Sequence, residues 1–168
     1  MIIFFMIVSP FLTLFIMGIV LKTSQPVAVV KSNSMYPDIK RGDMVLASGI
    51  KNSSRIKECS AGKNDGDIII FNASGLWRDA PNDPIVHRVI SKWKNGSDWY
   101  YLTKGDANPS VDKAPIPKNR ILGKVTRVIP YVGWGKIILM QLSFILQMVI
   151  FFSIMITLAI KFKKLKFK

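Results

Sequence analysis

Residues 84–103 read PIVHRVISKWKNGSDWYYLT, and their pattern predicts the fold class. Two runs rich in Val, Ile, Trp and Tyr, at 85–90 and 99–103, flank the turn-forming pair Asn95-Gly96. Such composition favours strands over helices. An Asn-Gly pair between two strands is typical of a hairpin tip. We therefore predict an antiparallel hairpin, with a loop longer than the tightest two-residue type.

Similar short apolar runs occur on both sides of this hairpin. They cover 27–30, 44–47, 67–71 and 121–129, and Gly, Pro, Asn and Asp separate them. The segments 51–63 and 107–119 are rich in polar, charged, Pro and Gly residues, which is typical of surface loops. The sequence therefore predicts a mainly β domain.

The two ends of the chain differ from this domain in composition. Residues 1–21 and 137–160 contain no Asp, Glu, Lys, Arg or His. At about 1.5 Å rise per residue, each stretch is long enough to cross a hydrocarbon core of roughly 30 Å. No Lys or Arg precedes the first stretch and no Ala-x-Ala pattern follows it, so we predict an uncleaved anchor there. Residues 22–136 then form a single domain flanked by two transmembrane helices.

The predicted orientation depends on a basic tail at 161–168. Five lysines stand in its eight residues: Lys161, Lys163, Lys164, Lys166 and Lys168. Such tails remain on the cytoplasmic side of a membrane. Two crossings then place the domain outside the cytoplasm, so we predict a two-pass integral protein of the cell membrane.

The charge and the rare residues exclude several function classes. The net charge of +14 divides into +5 for the tail and +9 for the domain, which fits a basic surface near anionic lipid. Without a basic helix or an aromatic-interleaved stripe, we expect no nucleic-acid binding. Cys59 and His87 are the only residues of their types, so we expect no Cys/His zinc site, no internal disulfide and no cofactor.

His87 and Ser34 are the first candidates for chemistry. Histidine is the commonest general base at neutral pH, although a single histidine in a strand is more ordinarily structural. Ser34 follows the run 27–30 directly, in residues 31–37 (KSNSMYP). A serine at a strand-to-turn junction can present its hydroxyl and its backbone N–H to a substrate, as a nucleophile and an oxyanion hole require. The alternative is an ordinary turn serine.

Residues 104–112 (KGDANPSVD) supply two candidate acids, Asp106 and Asp112. Either carboxylate could accept a hydrogen bond from an imidazole, fix its tautomer and stabilise its protonated form. Acidic loops are otherwise turn formers or ion-pair partners. The residues alone leave the choice between the two acids open.

Taken together, these segments resemble signal peptidase I of the archaeal and endoplasmic-reticulum type. Residues 32–37 (SNSMYP) are similar to its Ser-Gly-Ser-Met-x-Pro nucleophile box, with Asn33 in place of Gly. His87-Arg88-Val89 is similar to the base box, where the bacterial type has Lys-Arg-Val. The other matches, in family order, are at 41–43, 65–69, 103–112 and 129–133.

The resemblance implies a role for each candidate. Ser34 would be the nucleophile, His87 the base and Asp112 the orienting acid. Asp106 would be a second acid of the same site, and the Ser32 hydroxyl would support the oxyanion hole. Asn tolerates positive φ better than most residues, so we expect the turn to accept Asn33. Pro109 is a further irregularity, within residues 104–112, the acidic loop.

The resemblance also implies the activity and the partners. The expected fold is a signal-peptidase-like antiparallel β catalytic domain. The expected enzyme is a serine endopeptidase that removes signal peptides from secretory preproteins after small residues, at Ala-x-Ala type sites. Its partners would be those preproteins, the lipid bilayer and other membrane subunits. Because free histidine titrates near 6.5, we expect activity to rise through one ionisation between about pH 5.5 and 7.5.

The sequence leaves open two alternatives to a general signal peptidase. One is a non-catalytic, membrane-anchored β-domain that acts as an accessory subunit. The other is a processing protease of the same fold that serves a dedicated partner.

Overall fold

The structure, a computed structural model, describes residues 2–166 of the chain. It describes the backbone but not the side chains at residues 2–7, 10, 11, 140, 143, 144, 146, 150 and 157–166. The chain divides into two units. The first ends at Gly133 and contains helix α1 and the whole β-sheet. The second begins at Trp134 and contains helix α2.

Seven strands form one sheet in the order β1-β2-β7-β3-β4-β5-β6, and every neighbouring pair is antiparallel. The strands are β1 (Val27–Val29), β2 (Met44–Ser48), β3 (Ile68–Phe71), β4 (Ile85–Asn95), β5 (Asp98–Lys104), β6 (Ile116–Pro117) and β7 (Ile121–Ile129). Short 3-10 turns lie at Ser53–Arg55 and Lys118–Arg120. The prediction of a mainly β, antiparallel domain is confirmed.

The central hairpin is tighter than predicted. Strands β4 and β5 are joined by only two residues, with Asn95 paired to Asp98. Gly96 adopts φ 60°, at the loop position where a two-residue turn of this kind favours glycine. A bulge between Val89 and Ser91 shifts the register, and pairing then continues to the tip. The expectation of a longer loop was therefore wrong, because the glycine permits the strands to pair to their ends.

The core consists of two clusters on opposite faces of the sheet. Along β3, Ile69 and Phe71 belong to one cluster and Ile70 to the other, as the alternation of side chains along a strand requires. The first cluster is made of Ile56, Ile69, Phe71, Ala73, Val89, Tyr101 and Ile116. The second is made of Val30, Met35, Ile39, Val45, Ala47 and Ile70.

Helix α1 (Ile2–Leu21) ends in a hydrogen-bonded cap and is joined to the sheet. Lys22 adopts φ 52°, and the N–H groups of Lys22 and Thr23 bond to the carbonyls of Ile19 and Gly18. These two bonds are those of a Schellman cap, with lysine where glycine is usual. The Leu21 carbonyl accepts a hydrogen bond from the Gly49 N–H at 2.7 Å, which links the helix end to the residue that follows β2.

Helix α2 (Trp134–Lys166) covers the predicted helix 137–160 and continues into the basic tail, whose side chains are outside the description. Among the residues that the structure describes, no helix has the length and hydropathy needed to cross a membrane. The prediction of two transmembrane helices is therefore not confirmed by the structure.

Candidate active site

Ser34 is held by the turn that follows β1. The neighbouring side chains of Met35 and Ile39 are buried in the second core cluster, and the Ile39 N–H donates to the Met35 carbonyl at 2.9 Å. The Ser34 carbonyl accepts a hydrogen bond from the Ala107 N–H at 2.8 Å. The backbone of the serine is thus fixed on one side by the core and on the other by the acidic loop.

Asn33 keeps its place in this turn in a different way from the one expected. It does not adopt a positive φ. Its side-chain oxygen instead accepts a hydrogen bond from the Arg41 N–H at 3.0 Å, across the turn. The amide therefore supplies a cross-turn link that glycine could not make.

His87 lies on β4 and is 6% exposed. Its Nε2 is 3.2 Å from the Ser34 hydroxyl oxygen. Its Nδ1 is 2.8 and 3.0 Å from the two carboxylate oxygens of Asp112. In neutral imidazole one nitrogen donates and the other accepts. If Nδ1–H donates to Asp112, the Nε2 lone pair faces the Ser34 hydroxyl.

Asp112 is held in turn by Thr103, a residue that sequence reasoning missed. The Thr103 hydroxyl donates to the Asp112 carboxylate at 2.5 Å, and the Asp112 N–H donates to the Thr103 carbonyl at 2.8 Å. Thr103 is fully buried. It pairs with Val89 across the hairpin, so it shares a face with His87 two residues away. The sequence does not predict this register, because the register depends on the bulge between Val89 and Ser91.

Asp106 is not among the hydrogen-bond partners of His87. Its carboxylate pairs with Arg88 through two bonds, at 2.8 Å to Nε and 2.6 Å to Nη2. Both side chains are almost completely buried, at 4% and 6% exposed. Hydrogen bonding to Asp106 raises the pKa of the Arg88 guanidinium above its ordinary value. The second predicted acid is therefore placed beside a permanent cation rather than the imidazole.

Arg88 also connects the segments that surround the site. Its Nη2 donates at 2.6 Å to Asp38, in the turn after β1 that holds Ser34 (the serine turn), and its Nη1 donates to the Gly66 carbonyl at 2.9 Å. One guanidinium thus links the serine turn, the acidic loop and the segment before β3.

Ser32 lies close to Ser34 at the exposed edge of the site, with 3.2 Å between the two hydroxyl oxygens. A Ser34 hydroxyl that donates to His87 can still accept a hydrogen bond from Ser32. Within residues 2–166, no three His, Cys, Asp or Glu side chains form a group that could hold a metal ion. The arrangement that the structure does contain has the order hydroxyl, imidazole, carboxylate, which suits acyl transfer.

Comparison with known proteins gives related sequences. No protein-family model matches the chain. The signal peptidase complex catalytic subunit SEC11 of Colletotrichum graminicola is 33% identical over 132 residues, which cover 74% of this chain and 70% of that protein. The sec11 subunit of Neurospora crassa is 32% identical over 131 residues, covering 74% and 69%. The SEC11 subunit of Chaetomium globosum is 32% identical over 132 residues, covering 74% and 70%.

Proposed function

The chain belongs to the family of signal peptidase complex catalytic subunits, and on that premise we propose that it is a serine endopeptidase with Ser34 as nucleophile and His87 as general base. The membership supports a peptidase that removes signal peptides. The observation that carries the assignment of residues is the 3.2 Å separation between the Ser34 hydroxyl and His87 Nε2, with Asp112 on the other ring nitrogen.

The proposed reaction follows from these contacts. His87 Nε2 takes the hydroxyl proton as the Ser34 oxygen attacks the scissile carbonyl carbon. The resulting imidazolium then gives that proton to the leaving amine, and the carbon–nitrogen bond breaks. Water, deprotonated by His87, attacks the acyl ester and releases Ser34 with its proton restored. Asp112 stabilises the imidazolium at both stages.

The oxyanion of the tetrahedral intermediate needs donors beside the nucleophile. We assign the Ser34 backbone N–H and the Ser32 hydroxyl to this role. Ser32 already lies 3.2 Å from the Ser34 hydroxyl oxygen, so a small rotation would direct it to an oxygen bound at Ser34. Loss of one such donor typically costs about 10²- to 10³-fold in kcat.

The substrates we propose are secretory preproteins, cleaved after small residues at the −3 and −1 positions. Because its relatives are named as catalytic subunits of a signal peptidase complex, we also propose that the chain works with other membrane subunits.

We place the activity at a membrane, with the domain outside the cytoplasm. The support is the uncharged composition of residues 1–21 and 137–160 and the exposed apolar side chains along α1, among them Leu12, Phe15 and Ile19. A protein in water seldom leaves so continuous an apolar surface uncovered. Enzyme and precursor held in one bilayer would meet at a raised effective concentration.

The central test is cleavage of a labelled Ala-x-Ala precursor by purified full-length protein in detergent. Ser34→Ala and His87→Ala should each abolish cleavage, whereas Ser97→Ala at the exposed hairpin tip should cleave as the unchanged protein does. Cleavage that survives Ser34→Ala would show that the hydroxyl is not the nucleophile and would favour an accessory role. Cleavage of one dedicated precursor alone would favour the narrower processing protease.

A further inference from the structure

A cavity lies where the end of α1 meets the segment that follows β2, and none of the described residues that line it belongs to the candidate active site. Its volume is about 360 Å³. Its walls come from Val20, Leu21, Lys22, Ser48, Gly49, Ile50, Lys51, Asn52, Arg55, Ile56 and Lys124. The described residues that line the cavity all belong to the first unit.

The charge around this cavity has one sign. Among the described residues that line it, four are cations, Lys22, Lys51, Arg55 and Lys124, and none is Asp or Glu. Lys124 pairs with Asp67 at 2.8 Å. Within the described part of the chain, the other three cations have no carboxylate at salt-bridge distance. Three uncompensated positive charges around one concave site favour an anionic ligand.

The remaining walls are apolar and continue onto α1. Val20 and Leu21 line the cavity beside Ile50 and Ile56. On α1, Ile16, Ile19 and Val20 are 51%, 62% and 70% exposed. Positions three and four apart share one face of a helix, so these side chains form an apolar track that begins at the cavity. A ligand that fits both features has an anionic head and a hydrocarbon tail.

We propose that this cavity binds the headgroup of an anionic phospholipid, with the phosphate among Lys22, Lys51 and Arg55 and the acyl chains along the α1 track. The proposal rests on the membrane placement given above and goes beyond the peptidase activity. Free phosphate offers the same charge without the tail, so the two sources can be separated by experiment.

The test is a calorimetric titration of full-length protein in micelles of an uncharged detergent. The probes are dihexanoyl-phosphatidylserine, dihexanoyl-phosphatidylcholine and inorganic phosphate. We expect saturable binding of the phosphatidylserine only. Each removed charge should weaken binding about fivefold, so the double variant Lys51→Gln/Arg55→Gln should bind roughly 25-fold more weakly.

The control removes the same charge elsewhere, as Lys94→Gln/Lys118→Gln, and should bind as the unchanged protein does. Inorganic phosphate that binds as tightly as the lipid would overturn the lipid assignment. Equal weakening in both double variants would overturn the assignment to this cavity. Cleavage measured on the same samples separates the two proposals: Ser34→Ala should lose cleavage and keep lipid binding.

Discussion

His87 and Arg88 are neighbours on β4, yet they contact different carboxylates. Successive side chains of a strand point to opposite faces, so His87 meets Asp112 while Arg88 meets Asp106. The residues taken alone left both acids open, and the family resemblance implied that Asp112 orients the imidazole and that Asp106 belongs to the same site. The strand geometry separates them and assigns each a different kind of partner.

Replacement of each acid by asparagine tests this division. Asp112→Asn keeps the shape but can present a donor to the imidazole, so the wrong tautomer is favoured. We expect kcat to fall by roughly three to four orders of magnitude with little change in thermal stability. The measurement is kcat from precursor cleavage, beside Tm from a thermal scan. A kcat within tenfold of the unchanged protein would contradict the role of Asp112.

Asp106→Asn should lower the stability of the fold with little change in kcat, because it leaves Arg88 buried and partly unpaired. Loss of one partner of a buried pair costs about 3 to 5 kcal/mol, and Asp38 and Gly66 still hold the guanidinium, so we expect about 3 kcal/mol of lost stability. The matched control is Asp83→Asn, which removes an exposed pair with Lys31 worth under about 1 kcal/mol. Denaturant unfolding measures both. Equal losses of unfolding free energy in Asp106→Asn and Asp83→Asn would contradict a larger contribution from the buried pair.

Thr103 should act as a positioning residue through Asp112. Thr103→Val removes the hydroxyl at nearly constant volume, and a hydrogen bond to a charged group is worth about 1.5 to 3 kcal/mol. We expect kcat to fall by at least tenfold and the pH profile of kcat to shift, while Thr103→Ser restores both. A purely structural role would lower Tm and leave the pH profile unchanged, which would contradict the assignment.

Strand β5 contains a buried phenol, that of Tyr101, whose ionisation should lower the stability of the fold at alkaline pH. Burial raises the pKa of Tyr101, whose hydroxyl donates to the Ser53 carbonyl at 3.0 Å. The folded state therefore keeps the phenol proton of Tyr101 to a higher pH than the unfolded state does. The resulting stability is complete below about pH 10, the ordinary tyrosine value, and is lost as the pH rises from there through the folded-state pKa.

Tyr101→Phe should remove this alkaline loss. At pH 8 we expect the variant to be about 1 kcal/mol less stable, because the Ser53 carbonyl loses the phenol as a donor and keeps only the Ile56 N–H. The difference should shrink or reverse by pH 11. Chemical denaturation at several pH values measures it, with Tyr100→Phe on the same strand as the control. A difference that does not change with pH would contradict the contribution of the Tyr101 phenol.

The junction between β5 and the acidic loop also depends on a close backbone approach. A Cβ on Gly105 would lie 2.6 Å from the Ser34 carbonyl oxygen and 2.8 Å from the Asn108 side chain. Gly105→Ala should therefore displace the serine turn, and a displacement near 1 Å can cost about 10²-fold in rate. The control is Gly135→Ala, where no described atom lies within 4 Å of the added Cβ. Unchanged kcat in Gly105→Ala would contradict the need for this contact.

The elements were predictable to the extent that they depend on local pattern. Runs of β-branched and aromatic residues located most of the strands, and the Asn-Gly pair located the hairpin. The bulge after Val89 has no comparable signal, because it depends on pairing between distant residues. Strand β6 is only two residues long, too short for an alternation to be recognised.

In the whole molecule, some features of the site follow from the sequence and others only from the folded sheet. The family motifs, matched in order along the chain, predicted Ser34, His87 and Asp112 as site residues. The fold brings Ser34 and Asp112 within hydrogen-bond distance of His87. Thr103 and the links of Arg88 needed the sheet, because they join segments far apart in sequence. The membrane placement depends on composition at the two ends of the chain and remains a prediction.

That placement makes a final prediction about topology. If residues 1–21 and 137–160 both cross the bilayer, the domain at 22–136 lies outside and the lysine-rich tail inside. Protease added to intact cells that express the chain should degrade the domain and spare an epitope fused after Lys168, until detergent admits the protease. Alkaline carbonate should leave the protein in the membrane pellet. A tail that is cut in intact cells would contradict this orientation, and release by carbonate would contradict an integral association.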